Sequence, residues 1–248
     1  MPGLFRHHPL KLGTPRMRNL LAKAAIRIAN ALGDRQTYST LNGFFFTLKR
    51  AGFHPSLIYD VGANRGQWMR VAHSAFPQAR IVCFEPQAHL HRRTRNVEWR
   101  AIGLSNEEGE ASFTMLEDEV SSNFRTSPQA AERRGLRQVT VPISTIDRQL
   151  AGAIPDLVKI DAEGLDMEVL EGASTTFGKT DVFIVETGIL SDVENDLRTV
   201  CDFMAARGYR LAQIVGVNNA IKSHLLFLAD LAFIRADSPL LADCDSFA

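Results

Sequence analysis

The sequence predicts an α/β protein built on a seven-stranded, mostly parallel sheet whose last two strands form an antiparallel pair. Three observations predict it. The run Leu57-Ile58-Tyr59-Asp60-Val61-Gly62-Ala63-Asn64-Arg65-Gly66 is an apolar strand that ends in a carboxylate and turns through two glycines, and Gln67, Trp68, Met69, Val71 and Ala72 continue it as a helix. Short apolar runs then alternate with amphipathic segments, the pattern of parallel strands covered by helices on both faces. Finally, only Gly216-Val217-Asn218-Asn219 separates the last two apolar runs, which leaves no room for a crossover helix.

Taken in order, the chain opens with a basic arm. Its first fifty residues hold nine Lys or Arg against one acid, Asp34, in a chain of zero formal net charge. Met17, Leu20, Leu21, Ala24, Ile28 and Leu32 recur at helical spacing among Arg16, Arg18, Lys23 and Arg27. Such a helix suits peripheral contact with an anionic membrane surface, or packing against the domain or a second copy in a homo-oligomer. Gly33-Asp34 ends it, and 41–50, with Phe44-Phe45-Phe46, reads as a second helix closed by Gly52 and Pro55. Strands are predicted at 57–61, 80–84, 97–102, 156–160, 181–186, 209–215 and 224–234, and helices at 66–75, 87–94, 144–151, 165–172 and 193–206. Residues 103–142 break the alternation, with a turn at Asn106-Glu107-Glu108-Gly109 and polar stretches at Ser121-Ser122-Asn123 and Arg133-Arg134. An insertion at the carboxyl end of such a sheet lies where ligands bind, as a substrate lid or a surface excursion. The organisation is therefore a helical extension over 1–55, the sheet domain over 56–236 with its substrate-side insertion at 103–142, and a tail over 237–248.

Composition narrows the class. At 248 residues, 45% hydrophobic and 23% charged, the chain is an ordinary globular protein with one full core. Cys83, Cys201 and Cys244 form no CxxC pair and no metal spacing with histidine, which points to a reducing, cytoplasmic setting. No run reaches the roughly 18 apolar residues of a membrane span. Lys23 and Arg27 interrupt the early apolar segment, unlike a signal peptide. Neutral charge and the lack of a recognition motif argue against nucleic acid as a partner.

The glycine loop favours one ligand class. A dinucleotide needs G-x-G-x-x-G so that a pyrophosphate can approach the backbone, but Asn64 stands where the middle glycine would be. Asp60 adds a negative charge that would repel phosphates and attract an ammonium or sulfonium, by roughly 4 kcal/mol at 4 Å and an effective dielectric of 20. Glu85, which ends the run Ile81-Val82-Cys83-Phe84 before Pro86, lies about 20 residues past the glycines, where ribose hydroxyls find their acidic partner. Asp60, Gly62, Ala63, Asn64, Gly66, Glu85 and Pro86 thus form a candidate site for S-adenosylmethionine.

Leu157-Val158-Lys159-Ile160-Asp161-Ala162-Glu163-Gly164 is a second apolar strand ending in carboxylates, and Val182-Phe183-Ile184-Val185-Glu186 a third. Transfer of a methyl to oxygen needs a base or a metal to take the hydroxyl proton. Asp161, Glu163 or Glu186 could be that base if burial and mutual repulsion raise its pKa. Two of them could instead hold a divalent ion such as Mg²⁺, or Glu163 or Glu186 could pair with Lys159 and only shape the pocket. His73, His89 and His91 read as structural, and His224, which opens the last strand, as structural or as a further candidate for the site.

With these residues in view, the chain resembles the FkbM-type family of S-adenosylmethionine-dependent methyltransferases. The likeness runs from about Ile58 to Ile234 and rests on 60–66, Phe84-Glu85-Pro86, Ala101-Ile102-Gly103-Leu104-Ser105, Thr145-Ile146-Asp147, 159–164 and Val169-Leu170-Glu171-Gly172-Ala173. It implies the class I methyltransferase fold, cofactor contacts at Asp60, Gly62, Asn64, Gly66 and Glu85 with adenine near Ile102, and O-methylation of natural products, lipids or sugars. Enzymes of similar length with a basic N-terminal helix act on sugar hydroxyls, so a sugar or glycolipid acceptor is expected. Asp161-Ala162-Glu163-Gly164 is unlike the Asn/Asp-Pro-Pro-aromatic motif of nucleic-acid amino-methyltransferases. The alternatives are a dinucleotide-dependent oxidoreductase and a non-catalytic ligand-binding module.

Overall fold

Unbroken apolar runs become strands because both faces of the sheet are covered. The computed structural model describes residues 40–116, 122–190, 195–220 and 223–242. The basic helix of the first arm, Ser121 and Cys244 lie outside the described residues. In chain order the elements are α1 (Leu41–Arg50), β1 (Leu57–Val61), α2 (Gln67–Ala75), β2 (Arg80–Phe84), β3 (Val97–Arg100), β4 (Gly103–Leu104), β5 (Gly109–Met115), α3 (Pro128–Arg133) and β6 (Arg137–Ser144). They continue with α4 (Ile146–Gln149), β7 (Leu157–Ile160), α5 (Asp166–Glu171), β8 (Val182–Gly188), α6 (Leu197–Ala205), β9 (Tyr209–Asn219) and β10 (Leu226–Arg235).

The main sheet has seven strands in the order β3-β2-β1-β7-β8-β10-β9. All pairings from β3 to β8 are parallel, and β10 runs antiparallel to both β8 and β9. This is the doubly wound sheet the sequence predicts, with its antiparallel pair at one edge. Side chains alternate between two cores. Tyr59, Val61, Phe84, Val158, Ile160 and Phe183 face Ile146 of α4, Val169 and Leu170 of α5, and Val200 and Met204 of α6. Ile58, Ile81, Leu157, Val182 and Ile184 face Phe44, Phe45 and Leu48 of α1 and Met69 and Ala72 of α2. The helix at 41–50 thus supplies core to the sheet, while Phe46 turns outward at 40% exposure.

The insertion is a small sheet in its own right, ordered β4-β6-β5, with β5 and β6 antiparallel from Gly109↔Ile143 to Met115↔Arg137. The helix expected at 87–94 does not form beyond one 3-10 turn, Ala88–Leu90. His91 Nε2 lies 2.9 Å from the Glu85 carbonyl oxygen, Trp99 Nε1 donates to the Arg92 carbonyl at 2.8 Å, and the two rings stack at 4.9 Å. These contacts hold the segment extended against β3. The helix expected at 144–151 shortens to a single turn, because β6 runs on to Ser144 and Thr145 caps the turn by accepting from the Arg148 N–H at 3.1 Å. No described helix is long and apolar enough to cross a membrane.

Candidate functional site

The parallel strands β1, β2 and β7 all end at one edge, and the loops that leave them meet there. After β1, Gly62 (φ +70°), Asn64 (φ +46°) and Gly66 (φ +72°) turn the chain back toward α2 in left-handed conformations. Gly62 is required for a second reason. A Cβ there would sit 1.7 Å from the Asp161 carbonyl oxygen, so the β1 and β7 loops touch backbone to backbone.

The amide groups of this loop are engaged within the protein. Gly62 and Ala63 N–H both donate to the Phe84 carbonyl at 3.0 and 3.1 Å, and Gly66 N–H to the Ala63 carbonyl at 2.7 Å. The Asn64 N–H donates to Glu85 Oε2 at 2.8 Å, and Arg65 N–H to Asn64 Oδ1 at 2.8 Å. A phosphate would need those groups free, so the loop does not offer a pyrophosphate cradle. Glu85 Oε1 accepts from the Gln87 N–H at 2.9 Å, which leaves a lone pair on each oxygen for a ligand hydroxyl.

A cavity of about 230 Å³ opens above these loops. Gly62, Ala63, Asn64, Glu85 and Pro86 line it on the loop side, Asp161 and Glu163 on the β7 side, with Lys159 and Asp230 at its base. The small sheet and its flanking segment contribute Gly103, Leu104, Phe113, Ser122 and Phe124. Of the residues the sequence singled out, Asp60, Gly66, Ile102 and Glu186 do not line it. Asp60 is fully buried behind the lining, with neither carboxylate oxygen hydrogen-bonded and Oδ1 3.6 Å from Lys159 Nζ. Gly66 caps α2, Ile102 packs toward the core beside Gly103 and Leu104, and Glu186 lies on β8 opposite Asp230 of β10.

Electrostatics set the carboxylates apart. Burial pushes Glu163 up to about 8, aided by repulsion from Asp161 and Asp166 and opposed by Lys159 and Arg125. Burial likewise raises Glu186 to about 9, with Asp161, Asp166, Glu163 and Asp230 adding to it. Asp60 and Asp166 are each raised to about 6 by burial first. For Lys159, burial works against the charge, but Asp161 and Asp60 outweigh it and hold the ammonium above the ordinary lysine range. Among the described residues, no group of three or more His, Cys, Asp or Glu side chains is arranged to hold a metal ion.

The insertion is fastened to the carboxylate loop. The Phe124 N–H donates to the Glu163 carbonyl at 3.2 Å, and Arg125 crosses Gly164, where a Cβ would come within 2.1 Å of the arginine side chain. Arg125 Nη2 then reaches Asn195 Oδ1 at 3.2 Å and Asp166 Oδ2 at 3.5 Å. The sequence offers Lys159 only as an ion-pair partner for Glu163 or Glu186, whereas its Nζ lies 3.0 Å from Asp161 Oδ2 and 3.6 Å from Asp60 Oδ1; Asp230 and Phe124 are not singled out there. The available signal was a charged residue inside an otherwise apolar strand for Lys159 and Asp230; for Phe124 in its polar segment there was none.

Residues 60–211 match the family described as Methyltransferase FkbM domain. Methyltransferase 1 of Beauveria bassiana is 26% identical over 186 residues, 63% of this chain and 73% of that protein. The AMB antimetabolite synthetase AmbE of Pseudomonas aeruginosa is 36% identical over 92 residues, which span 34% of this chain and 4% of the synthetase. Among solved structures, the methyltransferase FkbM from Methylobacillus flagellatus KT aligns with a TM-score of 0.46 at 13% identity, covering 71% of this chain and 43% of that one.

Proposed function

This chain belongs to the FkbM methyltransferase family, and on that premise we propose that it transfers a methyl group from S-adenosylmethionine to a hydroxyl of a sugar, glycolipid or other natural product. The observation that carries this reading is the meeting, around one cavity, of an amide-engaged glycine loop with Glu163, a carboxylate whose proton comes off at about 8.

The residues present fit that cofactor. Asp60, buried just behind the cavity lining with Oδ1 3.6 Å from Lys159 Nζ, adds to the acidic field of Asp161 and Glu85, which suits a cationic donor better than a phosphate. Glu85 has lone pairs for the ribose hydroxyls, Gly62, Ala63 and Asn64 bring the β1 loop alongside, and Pro86 with Leu104 gives an apolar wall for the base. When bound, S-adenosylmethionine supplies an electrophilic methyl group on a sulfonium.

The protein's part is to place the acceptor hydroxyl and take its proton. Glu163 is the base: it lines the cavity, whereas Glu186 does not. A pKa of about 8 leaves a fraction ionised at neutral pH and makes that fraction a strong acceptor. Asp161 lines the same wall and is held by Lys159. Trp68, Phe113 and Phe124 offer flat apolar surface to the less polar face of a sugar ring or a lipid-linked acceptor.

The test is to offer labelled S-adenosylmethionine to a panel of free sugars, glycolipids and polyketides, with and without chelator. Label on an acceptor oxygen, unaffected by chelator, is expected. Label on nitrogen alone, or tight binding of a nicotinamide dinucleotide in place of S-adenosylhomocysteine, overturns the reading.

A further inference from the structure

Lys159 is an ammonium buried in an apolar strand of the central sheet. An ammonium has three N–H donors, and Lys159 Nζ has three acceptors at hydrogen-bond distance: the Val61 carbonyl at 3.2 Å, the Gly62 carbonyl at 3.1 Å and Asp161 Oδ2 at 3.0 Å. Two of these belong to the tip of β1 and the third to the loop after β7. Asp60 stands directly opposite Lys159 in the β1–β7 register, at 3.6 Å, and feels its charge without a hydrogen bond. We propose that Lys159 is a positioning residue: one ammonium ties the cofactor loop to the acceptor-side loop and holds Asp60 as a carboxylate ready for the ammonium of the methyl donor.

The geometry leaves Asp60 dependent on this one cation. It faces Lys159 and, beyond it, Asp161 on the β7 side, with Cys83 on β2 and Glu85 just past its end; every titratable neighbour but Lys159 is acidic or a thiol that burial keeps neutral. With Lys159 neutralised, burial and two carboxylates would all favour the protonated acid. The uncharged side chain would then meet a cationic ligand with no opposite charge. The two carbonyls at the β1 tip would also lose their shared donor just where Gly62 touches the Asp161 backbone.

This inference rests on the S-adenosylmethionine reading above, and calorimetric titration of S-adenosylhomocysteine across pH 5 to 9 separates the two. In the intact chain, affinity should rise with pH through a limb near 6 that is lost in Asp60→Asn, which assigns it to Asp60 rather than to Asp166, also raised to about 6. In Lys159→Met that limb should move up by about one pH unit or more, with affinity at pH 7 at least about twofold weaker. Lys159→Gln keeps a donor for the carbonyls while removing the charge, and should show the same displaced limb if Lys159→Met does not fold. Lys159→Arg retains the charge, so its limb should stay near that of the intact chain even if its melting temperature falls. A merely structural lysine would lower stability in these variants without moving the limb. Coincident limbs in the intact chain and a neutral variant overturn the proposal, as does pH-independent binding by the intact chain. Failure of the intact chain to bind S-adenosylhomocysteine at all instead sinks the donor reading.

Discussion

Replacing Glu163 by Gln removes a titrating carboxyl while keeping its shape, and two independent measurements follow. In the unfolded chain this group titrates at its ordinary value of 4.5, and in the fold at about 8. Below 4.5 it is protonated in both states and costs nothing. As pH rises from 4.5 towards 8, the unfolded chain ionises first, so the native state loses stability until the folded group ionises as well. At 1.36 kcal/mol per pH unit the loss has a ceiling of roughly 5 kcal/mol, and partial solvent access and relaxation leave about 1–2 kcal/mol as the expected effect. Glu163→Gln should therefore melt about 3–6 °C higher than the intact chain at pH 8.5. At pH 4.5 the two should be nearly equal. Catalysis should move the other way. Between pH 7 and pH 9 the ionised fraction of Glu163 climbs from about a tenth to about nine tenths, so kcat/KM of the intact enzyme should rise about tenfold. In Glu163→Gln that rise should vanish and turnover should drop by about 100-fold or more. Thermal melts at both pH values and label transfer to the acceptor found in the panel read out the two effects. Turnover within a few-fold of the intact enzyme, with the same rising limb, would refute Glu163 as the base and turn attention to Glu186, whose proton comes off at about 9.

Three further outcomes are expected. Asp60→Asn removes a charge but no hydrogen bond, so the fold should persist while S-adenosylhomocysteine binds about 10–100-fold more weakly, as measured by calorimetry. Gly62→Ala forces a Cβ to 1.7 Å from a backbone oxygen at φ +70°; the melting temperature should fall by roughly 6 °C or more, and an unchanged melt would contradict the contact between the β1 and β7 loops. Asp147 accepts hydrogen bonds from Ser174 Oγ at 2.6 Å, the Thr175 N–H at 3.0 Å and Thr175 Oγ1 at 2.6 Å. Asp147→Ala should cost about 1–2 kcal/mol in denaturant unfolding and leave cofactor affinity intact.

The sequence was most legible where one rule governed a segment. β1 and β2 fall at the expected 57–61 and 80–84, since both faces are buried over Leu57–Val61 and, after the exposed Arg80, from Ile81 to Phe84. The helix over 41–50 was equally plain from its run of phenylalanines and its close at Gly52 and Pro55; core packing is the natural reading of that run and holds for Phe44 and Phe45, while spacing alone did not mark Phe46 as the one that turns outward. The segment over 87–94 misled because its composition permits a helix, while the stack of His91 on Trp99 decides for extended chain. That contact joins residues whose pairing depends on β3. In the site, the glycine-loop motif leads to residues that line one cavity, Gly62, Asn64 and Glu85, because left-handed backbone and a charge at a strand end leave few alternatives. Asp60, read from the same motif, sits behind the cavity lining. Lys159 and Asp230 each stand out as a charge inside an apolar strand, but their place at the cavity depends on which strands become neighbours, and Phe124 lies in a polar stretch whose fold depends on the β5–β6 sheet.

The bond from the Phe124 amide to the Glu163 carbonyl, and the passage of Arg125 across Gly164, have a consequence for how such an enzyme can diversify. On the proposed assignment of Glu163 as the base, the small sheet is clipped to it through main chain at Phe124 and through the one side chain of Arg125, so the join depends little on the other side chains that the wall displays. On that proposal, substitutions at Phe113, Ser122 or Phe124 would retool the chamber for a new guest while Glu163 keeps its station, like a fixed socket that takes interchangeable bits.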